Sequence, residues 1–353
     1  MSRALASPLK LAEQLGHEEV VILQDAAVPL RAVIAIHDTT LGPAVGGTRM
    51  RLYPSFDDAV TDALRLSRAM TYKAVMAEMA YGGGKAVIVA DPAKHKTRPL
   101  FAAYAKALER LGGRFHTGCD MGMDGRDMAV MARLTKYVSH TAPGSKIDTA
   151  DLAALGVYHS MRAAARQLGK QIFGLRVAIQ GLGQLGYRLA KLLAADGAKL
   201  EVADVDAGRV ERAQSELGAK ARPAKTIASA ECDVFSPNAD GGILNDRTIP
   251  KLRCRAVVGG ANEQLLEPRH GDELAERGIL YAPDYVANAG GLLSLLYETD
   301  QTDEAGVVQQ VQNIAERLEH IWTRAQAEKL PPQRMADTIV EERLAEARAR
   351  KKK

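Results

Sequence analysis

The chain has only three cysteines in 353 residues, Cys119, Cys232 and Cys254, and no two are spaced as CxxC. Three scattered thiols cannot all pair, which excludes a disulfide framework and a structural zinc site and fits a reducing compartment. Aromatics are scarce at 5%, and the net charge of +4 is spread along the chain. Both argue against a nucleic-acid partner. No apolar run approaches the length that spans a bilayer. Met1 to Val20 carries Lys10, Glu13, Glu18 and Glu19 where a secretory signal needs an unbroken apolar core. The expectation is a cytoplasmic protein with no membrane, nucleic-acid or metal partner. The one basic cluster, Arg348 to Lys353, reads as a frayed, solvated terminus.

What is present is ordinary globular composition, 46% hydrophobic and 25% charged, in a chain long enough for two domains with separate cores. Residues 31–36 read as a strand, 37–43 as a turn and 46–49 as a loop. From Phe56 to Met70 the apolar Ala59, Ala63, Leu64, Leu66 and Met70 recur near helical spacing, with Asp57, Asp58 and Asp62 on the other face. Strands follow at 86–90 and 114–117. Residues 139–145 are turn-rich, so the domain boundary is placed there. A helix at about 152–168 then leads into a second series: strand 176–180, helix 184–195, strand 199–203, helix 207–217 and strands near 232–236, 255–258 and 279–281. Residues 303–350 read as amphipathic helix. Such alternation predicts an α/β protein whose second half is a doubly wound parallel sheet. The expected domains are 1–147 and 148–327, with C-terminal helices at about 328–353 able to pack back on the first.

The strand at 176–180 runs into Gly181-Leu182-Gly183-Gln184-Leu185-Gly186, which opens a helix. A lone GxGxxG is weak, but this strand–loop–helix setting is what the dinucleotide fingerprint requires. Gly181 would make the turn, Gly183 would let a pyrophosphate approach, and Gly186 would let helix and strand pack. Asp204 stands eighteen residues beyond Gly186, at the end of the next strand, where a carboxylate holds the adenosine ribose. It would repel a 2′-phosphate, so NAD is expected rather than NADP, although Arg209 lies nearby.

Two lysines then stand out in Thr71-Tyr72-Lys73 and Tyr81-Gly82-Gly83-Gly84-Lys85. Glycines can take positive φ and lie against a ligand. Lys85 at the rim of a sheet, desolvated and near a second cation, would favour its neutral, basic form. A glycine turn and a solvated lysine is the plainer reading of the same residues.

With the segment 114–122, which contains Gly118, Cys119 and Asp120, these motifs resemble the glutamate/leucine/phenylalanine/valine dehydrogenase family, and within it the leucine and phenylalanine branch. The resemblance extends over residues 37–43, Gly46-Gly47-Thr48-Arg49, the two lysine motifs, the glycine loop, Ala261-Asn262, and 281–286 through Asn288-Ala289-Gly290-Gly291. It implies a Rossmann NAD domain beside an α/β substrate and oligomerisation domain, with a cleft between them, in a homo-oligomer. The implied reaction is NAD-dependent, reversible deamination of an apolar L-amino acid to the 2-oxo acid and ammonia. Lys73 would bind the substrate carboxylate, Lys85 would activate water, and Asp120 would relay protons to and from the amino group. Gly46, Gly47, Met70, Gly118, Asn262, Leu292 and Leu295 would surround the substrate, with Val45 beside them. Leu182, Gln184, Leu185, the three loop glycines, Asp204, Val205, Arg209, Ala239, Asn262 and Asn288 would hold the cofactor. Gly118 and Leu292 match relatives that prefer phenylalanine. Leucine, valine, tryptophan or a polar substrate reached by Lys146, Asp148 and Asp151 are the alternatives, as is a non-catalytic NAD sensor. The chain departs from the pattern at Asp151-Leu152-Ala153, where relatives carry Pro-x-Thr, and at Asp240 and Glu263. Cys119 reads as a small buried pocket residue.

Overall fold

Residues 30–38 carry two apolar sets on alternate positions, Val33 and Ala35 facing one way, Ile34 and Ile36 the other. In the computed structural model, which describes residues 7–139, 148–299 and 301–351, each set is covered by its own helices. The elements of this first region are α1 (Pro8–Leu15), β1 (Glu19–Asp25), β2 (Leu30–Asp38), β3 (Ala44–Arg51), α2 (Phe56–Met76), β4 (Gly82–Val89), α3 (Arg98–Arg110), β5 (Phe115–Cys119) and α4 (Gly125–Ala132). The strands form one sheet in the order β1-β2-β4-β3-β5, with β3 parallel to β4 and β5, and β2 antiparallel to β1 and β4. Val33, Ala35 and Val87 pack on Ala59, Val60, Ala63 and Leu64 of α2. Ile34, Ile36 and Ile88 pack with Leu100, Phe101 and Tyr104 of α3 and with Met128 and Met131 of α4.

α2 starts at a capping box: Ser55 Oγ accepts from the Asp58 amide at 3.1 Å, and the Asp58 carboxylate accepts from the Ser55 amide at 3.0 Å. It runs beyond the predicted end at Met70 and carries Lys73 in its last turn. Two glycine readings need correcting. Gly46 and Gly47 lie within β3 rather than in a loop, and Gly82, Gly83 and Gly84 lie within β4, none of them at positive φ. Their glycine is required by packing. A Cβ would fall 1.9 Å from Asp38 O at Gly82, 2.0 Å from Thr71 N at Gly83, and 2.6 Å from the Phe115 ring at Gly84. Lys85 therefore sits in a strand with neighbours on both sides, β2 and β3, rather than at a sheet rim.

The second region contains α5 (Thr149–Gln167), β6 (Arg176–Gln180), α6 (Gln184–Ala195), β7 (Lys199–Ala203), α7 (Ala207–Leu217), β8 (Lys220–Ala221), β9 (Val234–Pro237), β10 (Ala256–Val257), α8 (Arg269–Glu276), β11 (Leu280–Tyr281), α9 (Asp284–Ala287), α10 (Gly290–Glu298), α11 (Glu304–Gln312), α12 (Ile314–Glu328) and α13 (Pro332–Lys351). Its strands run β11-β10-β9-β6-β7-β8, all parallel. The first strand, β6, lies at the centre and the order reverses beside it, the doubly wound arrangement that binds ligands at that switch point. The single helical stretch expected at 303–350 is three helices.

By contacts the chain divides into one unit of Met1–Ser145 with Glu342–Lys353 and a second of Lys146–Glu341. The expected boundary and Lys146 fall in 140–147, outside the described residues, as do Lys352 and Lys353. The basic terminus is not frayed up to Lys351. Arg343 donates to Val75 O at 3.1 Å and to Glu78 at 3.0 Å, and Arg348 pairs with the buried Asp38 carboxylate. No helix among the described residues is long and apolar enough to cross a membrane.

Candidate active site

In the first unit, strand alternation aims Gly47 and Arg49 of β3 at one point, just past the end of β5. A Cβ on Gly47 would lie 2.7 Å from Asp120 Cβ, so the missing side chain admits that carboxylate. Lys85 of β4 reaches Asp120 Oδ2 at 2.8 Å, and Arg49 Nε donates to the same oxygen at 2.9 Å. Arg49 Nη1 donates to Asp62 of α2 at 2.8 Å, and Asp62 also accepts from the Tyr53 hydroxyl. The lysine is nearly out of water, with a side chain 7% exposed, against 22% for Asp120.

Burial alone would raise the Asp120 carboxyl, but the Lys85 ammonium and the Arg49 guanidinium outweigh it and hold the group at about 2. A carboxyl that low stays ionised at any working pH. It is suited to stabilising positive charge. Lys85 is ion-paired, and Lys73, half-buried on α2, has interactions of its own.

Of the expected pocket residues of the first unit, Gly47 lies against Asp120 and Gly46 against Met70. A Cβ on Gly46 would meet Gly84 O at 1.8 Å and Met70 Cγ at 3.3 Å, so Met70 lies directly over Gly46. A Cβ on Gly118, beside Cys119, would meet Ser139 O at 3.7 Å and Ser139 Cβ at 3.9 Å, ordinary contacts, so the position accepts a methyl group without a clash. Val45 is buried in β3. Cys119 is exposed rather than buried. Desolvation by its neighbours and then the Asp124 and Asp127 carboxylates push its thiol up to about 11, so it is no ready nucleophile.

In the second unit the three loop glycines differ in geometry. Gly181 has φ +90°, a Cβ on Gly186 would lie 2.0 Å from Gly181 O, and Gly183 faces open space with Arg209 Nη1 4.0 Å from where its Cβ would stand. Asp204 accepts from the Leu182 amide at 2.6 Å and the Asp206 amide at 2.9 Å. Desolvation opposes its charge, but those amides and Arg209, at 3.7 Å, bring the carboxyl below its ordinary range. Val205, the next residue, is almost fully exposed. Ala239 touches the Gly181 turn, and Leu185 packs over Gly260. Asn288 donates to Asn262 Oδ1 at 2.8 Å, while its own Oδ1 is buried without a partner. An open glycine at a helix start, a carboxylate at the next strand end and an orphaned amide oxygen fit a dinucleotide.

Leu292 and Leu295 stand half-buried on α10 in this second unit, and Met70 and Gly118 belong to the first. Ala153 lies beside Gly291 and offers no hydroxyl there. Asp148 and Asp151 are each ion-paired with Arg188 at 2.6 Å. Arg188 and Arg209 line a cavity of about 910 Å³ that opens beside Leu182, Gly183 and Gln184.

The sequence reading quoted Arg49 within a motif and left Asp62 on a solvent face, giving neither a task. The available signal was the two-residue period of β3, which sets Arg49 on the side of Gly47.

Residues 17–137 match the family described as Glu/Leu/Phe/Val dehydrogenase, dimerisation domain, and residues 199–351 match Glutamate/Leucine/Phenylalanine/Valine dehydrogenase. Leucine dehydrogenase of Geobacillus stearothermophilus is 42% identical over 339 residues, 95% of this chain and 92% of that protein. Phenylalanine dehydrogenase of Thermoactinomyces intermedius is 43% identical over 341 residues, 95% and 93% of the two chains. The crystal structure of L-tryptophan dehydrogenase from Nostoc punctiforme superposes with a TM-score of 0.84 at 39% identity, covering 97% of this chain and 99% of that one.

Proposed function

The chain belongs to the glutamate/leucine/phenylalanine/valine dehydrogenase family, and on that premise we propose that it deaminates a bulky apolar L-amino acid reversibly, with NAD as oxidant. The observation that carries the reading is the Lys85–Asp120–Arg49 cluster, with Gly118 two residues from Asp120. Bound NAD would accept the hydride from the amino acid Cα. The side chains of the chain do the rest.

Lys73 holds the substrate carboxylate as a point charge. Asp120 takes a proton from the substrate ammonium and passes it to solvent, so that hydride leaves from the neutral amine, and the ionised carboxylate then stabilises the iminium that results. Lys85 takes a proton from water as the water oxygen bonds to the iminium carbon. Asp120 returns a proton to the carbinolamine nitrogen, the C–N bond breaks to release ammonia, and the hydroxyl proton goes to solvent to leave the oxo acid. Asp204 supports NAD over NADP, since its carboxylate repels a 2′-phosphate and accepts ribose hydroxyls. Gly181, Gly183, Gly186 and Asn288 complete the cofactor set. Gly118, with no side chain of its own, supports a substrate side chain as large as phenylalanine. Subunits would associate through the first unit into a homo-oligomer, and light scattering at micromolar concentration should return a mass above that of one chain.

The test is a panel of L-amino acids with NAD and, in reverse, oxo acids with ammonia and NADH. Reduction of NAD by apolar amino acids is expected. In Lys85→Ala turnover should be lost while NAD affinity persists. Silence with every substrate in both directions would refute the reading, and binding of NAD with no turnover would favour a sensor.

A further inference from the structure

Arg49 is the charged group of the cluster to which that mechanism gives no task. Its guanidinium spans two carboxylates, Asp120 at 2.9 Å through Nε and Asp62 at 2.8 Å through Nη1, and Lys85 lies 2.8 Å from the same Asp120 oxygen. One carboxylate oxygen thus serves two cations. If Lys85 is to act as a base it must spend part of each turnover neutral, in a site where its side chain is 7% exposed. With Lys85 as its sole partner, Asp120 would then be a partly buried anion without a counter-charge, which is costly. A guanidinium keeps its charge at any working pH, and its planar fork can hold both carboxylates at once.

We infer that Arg49 is a positioning residue, which keeps Asp120 Oδ2 paired throughout turnover so that Lys85 can release its proton without stranding the carboxylate. The inference rests on the dehydrogenase reading. Asp62, itself hydrogen-bonded by Tyr53, anchors the far side of the guanidinium and so fixes its angle to Asp120. Lys85 and Arg49 are the cations that act on Asp120. Further charged groups lie on the same elements: Asp57, Asp58, Arg65, Arg68 and Lys73 on α2, Arg51 on β3 and Arg126 on α4. Asp124, Asp127 and Lys96, about the start of α4, pair among themselves. None of the pairings described for Asp120 replaces Arg49 there.

Removing the guanidinium would leave Lys85 as the main cation on Asp120 and make its proton harder to lose. The alkaline limb of kcat for deamination in Arg49→Met should move up by about one pH unit, with KM for the amino acid little changed on the plateau. Arg49→Lys keeps the charge and should return the limb most of the way. A purely structural role would lower kcat at every pH and leave the limb in place, which would overturn the inference.

A second readout needs no substrate. The Cε shift of Lys85 in 13C-lysine-labelled protein, assigned by its absence from Lys85→Ala, is followed against pH in wild type and Arg49→Met. Its midpoint should move with the limb, and an unmoved midpoint sinks the inference. If no amino acid reduces NAD but the midpoint moves, the dehydrogenase reading fails and the coupling of Arg49 to Lys85 stands. Should Arg49→Met not fold with Asp62 left uncompensated, the double variant Arg49→Gln/Asp62→Asn removes both charges and carries the same expectation.

Discussion

Gly83→Ala adds one methyl group at a point where the two lysine-bearing elements touch. The new Cβ would lie 2.0 Å from Thr71 N, 2.3 Å from Thr71 Oγ1 and 2.6 Å from Ser67 O. Ordinary contacts begin at 3.4 Å, so α2 and β4 must separate by roughly 1.4 Å, and the obstructing atoms are mainly helix backbone rather than a side-chain tip. Overpacking of this kind costs ~1–3 kcal/mol, and a rigid obstacle places it at the upper end, about 3 kcal/mol. The displacement also moves Lys73, two residues beyond Thr71, away from Lys85. A shift on the order of 1 Å in reacting geometry costs ~10²-fold in rate. The variant should therefore lose about 3 kcal/mol in urea denaturation and ~10²-fold in kcat/KM for the amino acid, while NAD affinity, which the proposed function assigns to the second unit, is retained. Gly118→Ala is the control for stability, since its Cβ meets nothing closer than 3.7 Å. A Gly83→Ala protein within about 0.5 kcal/mol of wild type and within twofold in kcat/KM would refute the reasoning.

Acid should act on the cluster through Asp120. Its folded carboxyl titrates at about 2 against an ordinary 3.8, so the stability it contributes is complete above about pH 4 and is lost as pH falls through 2. The contribution is about 2 kcal/mol. Asp120→Asn should be less stable than wild type at pH 7, with the gap closing between pH 4 and 2, and a gap of constant size would overturn this. For specificity, wild type should favour phenylalanine over leucine in kcat/KM, and Gly118→Ala should shift the ratio toward leucine by about tenfold. A wild type that favours leucine, or an unchanged ratio in the variant, would remove Gly118 from specificity.

The second unit was the more legible. Strand 176–180 and helices 184–195 and 207–217 were readable to the residue, because a short apolar run, a glycine turn and a helical period follow one another there without long-range help. The first unit was harder, and for one reason. Glycine clusters signal turns when read locally, whereas Gly82 to Gly84 are glycine because Asp38, Thr71 and Phe115 press on a strand from elsewhere in the chain. Arg49 was hidden differently: an arginine beside glycines looks solvated until the partners of its guanidinium, Asp62 and Asp120, are brought in from 13 and 71 residues away. The C-terminal arginines were missed because their partners lie some three hundred residues back, beyond any local pattern.

The first unit is built from two separate pieces of chain, and that bears on how it is made. Residues up to Ser145 leave the ribosome before the second unit, but Asp38, 2% exposed, has for its ion pair Arg348, which is translated some two hundred residues after Ser145. At typical elongation rates that interval is roughly ten to forty seconds. Through it the nascent unit carries a carboxylate whose counter-ion does not yet exist, while the whole of the second unit is synthesised and free to fold. The last turns of α13 are therefore made only after the whole second unit, and yet they close the first. A message truncated before Arg343 would yield an intact second unit attached to an unsealed first, exposed to proteases and aggregation.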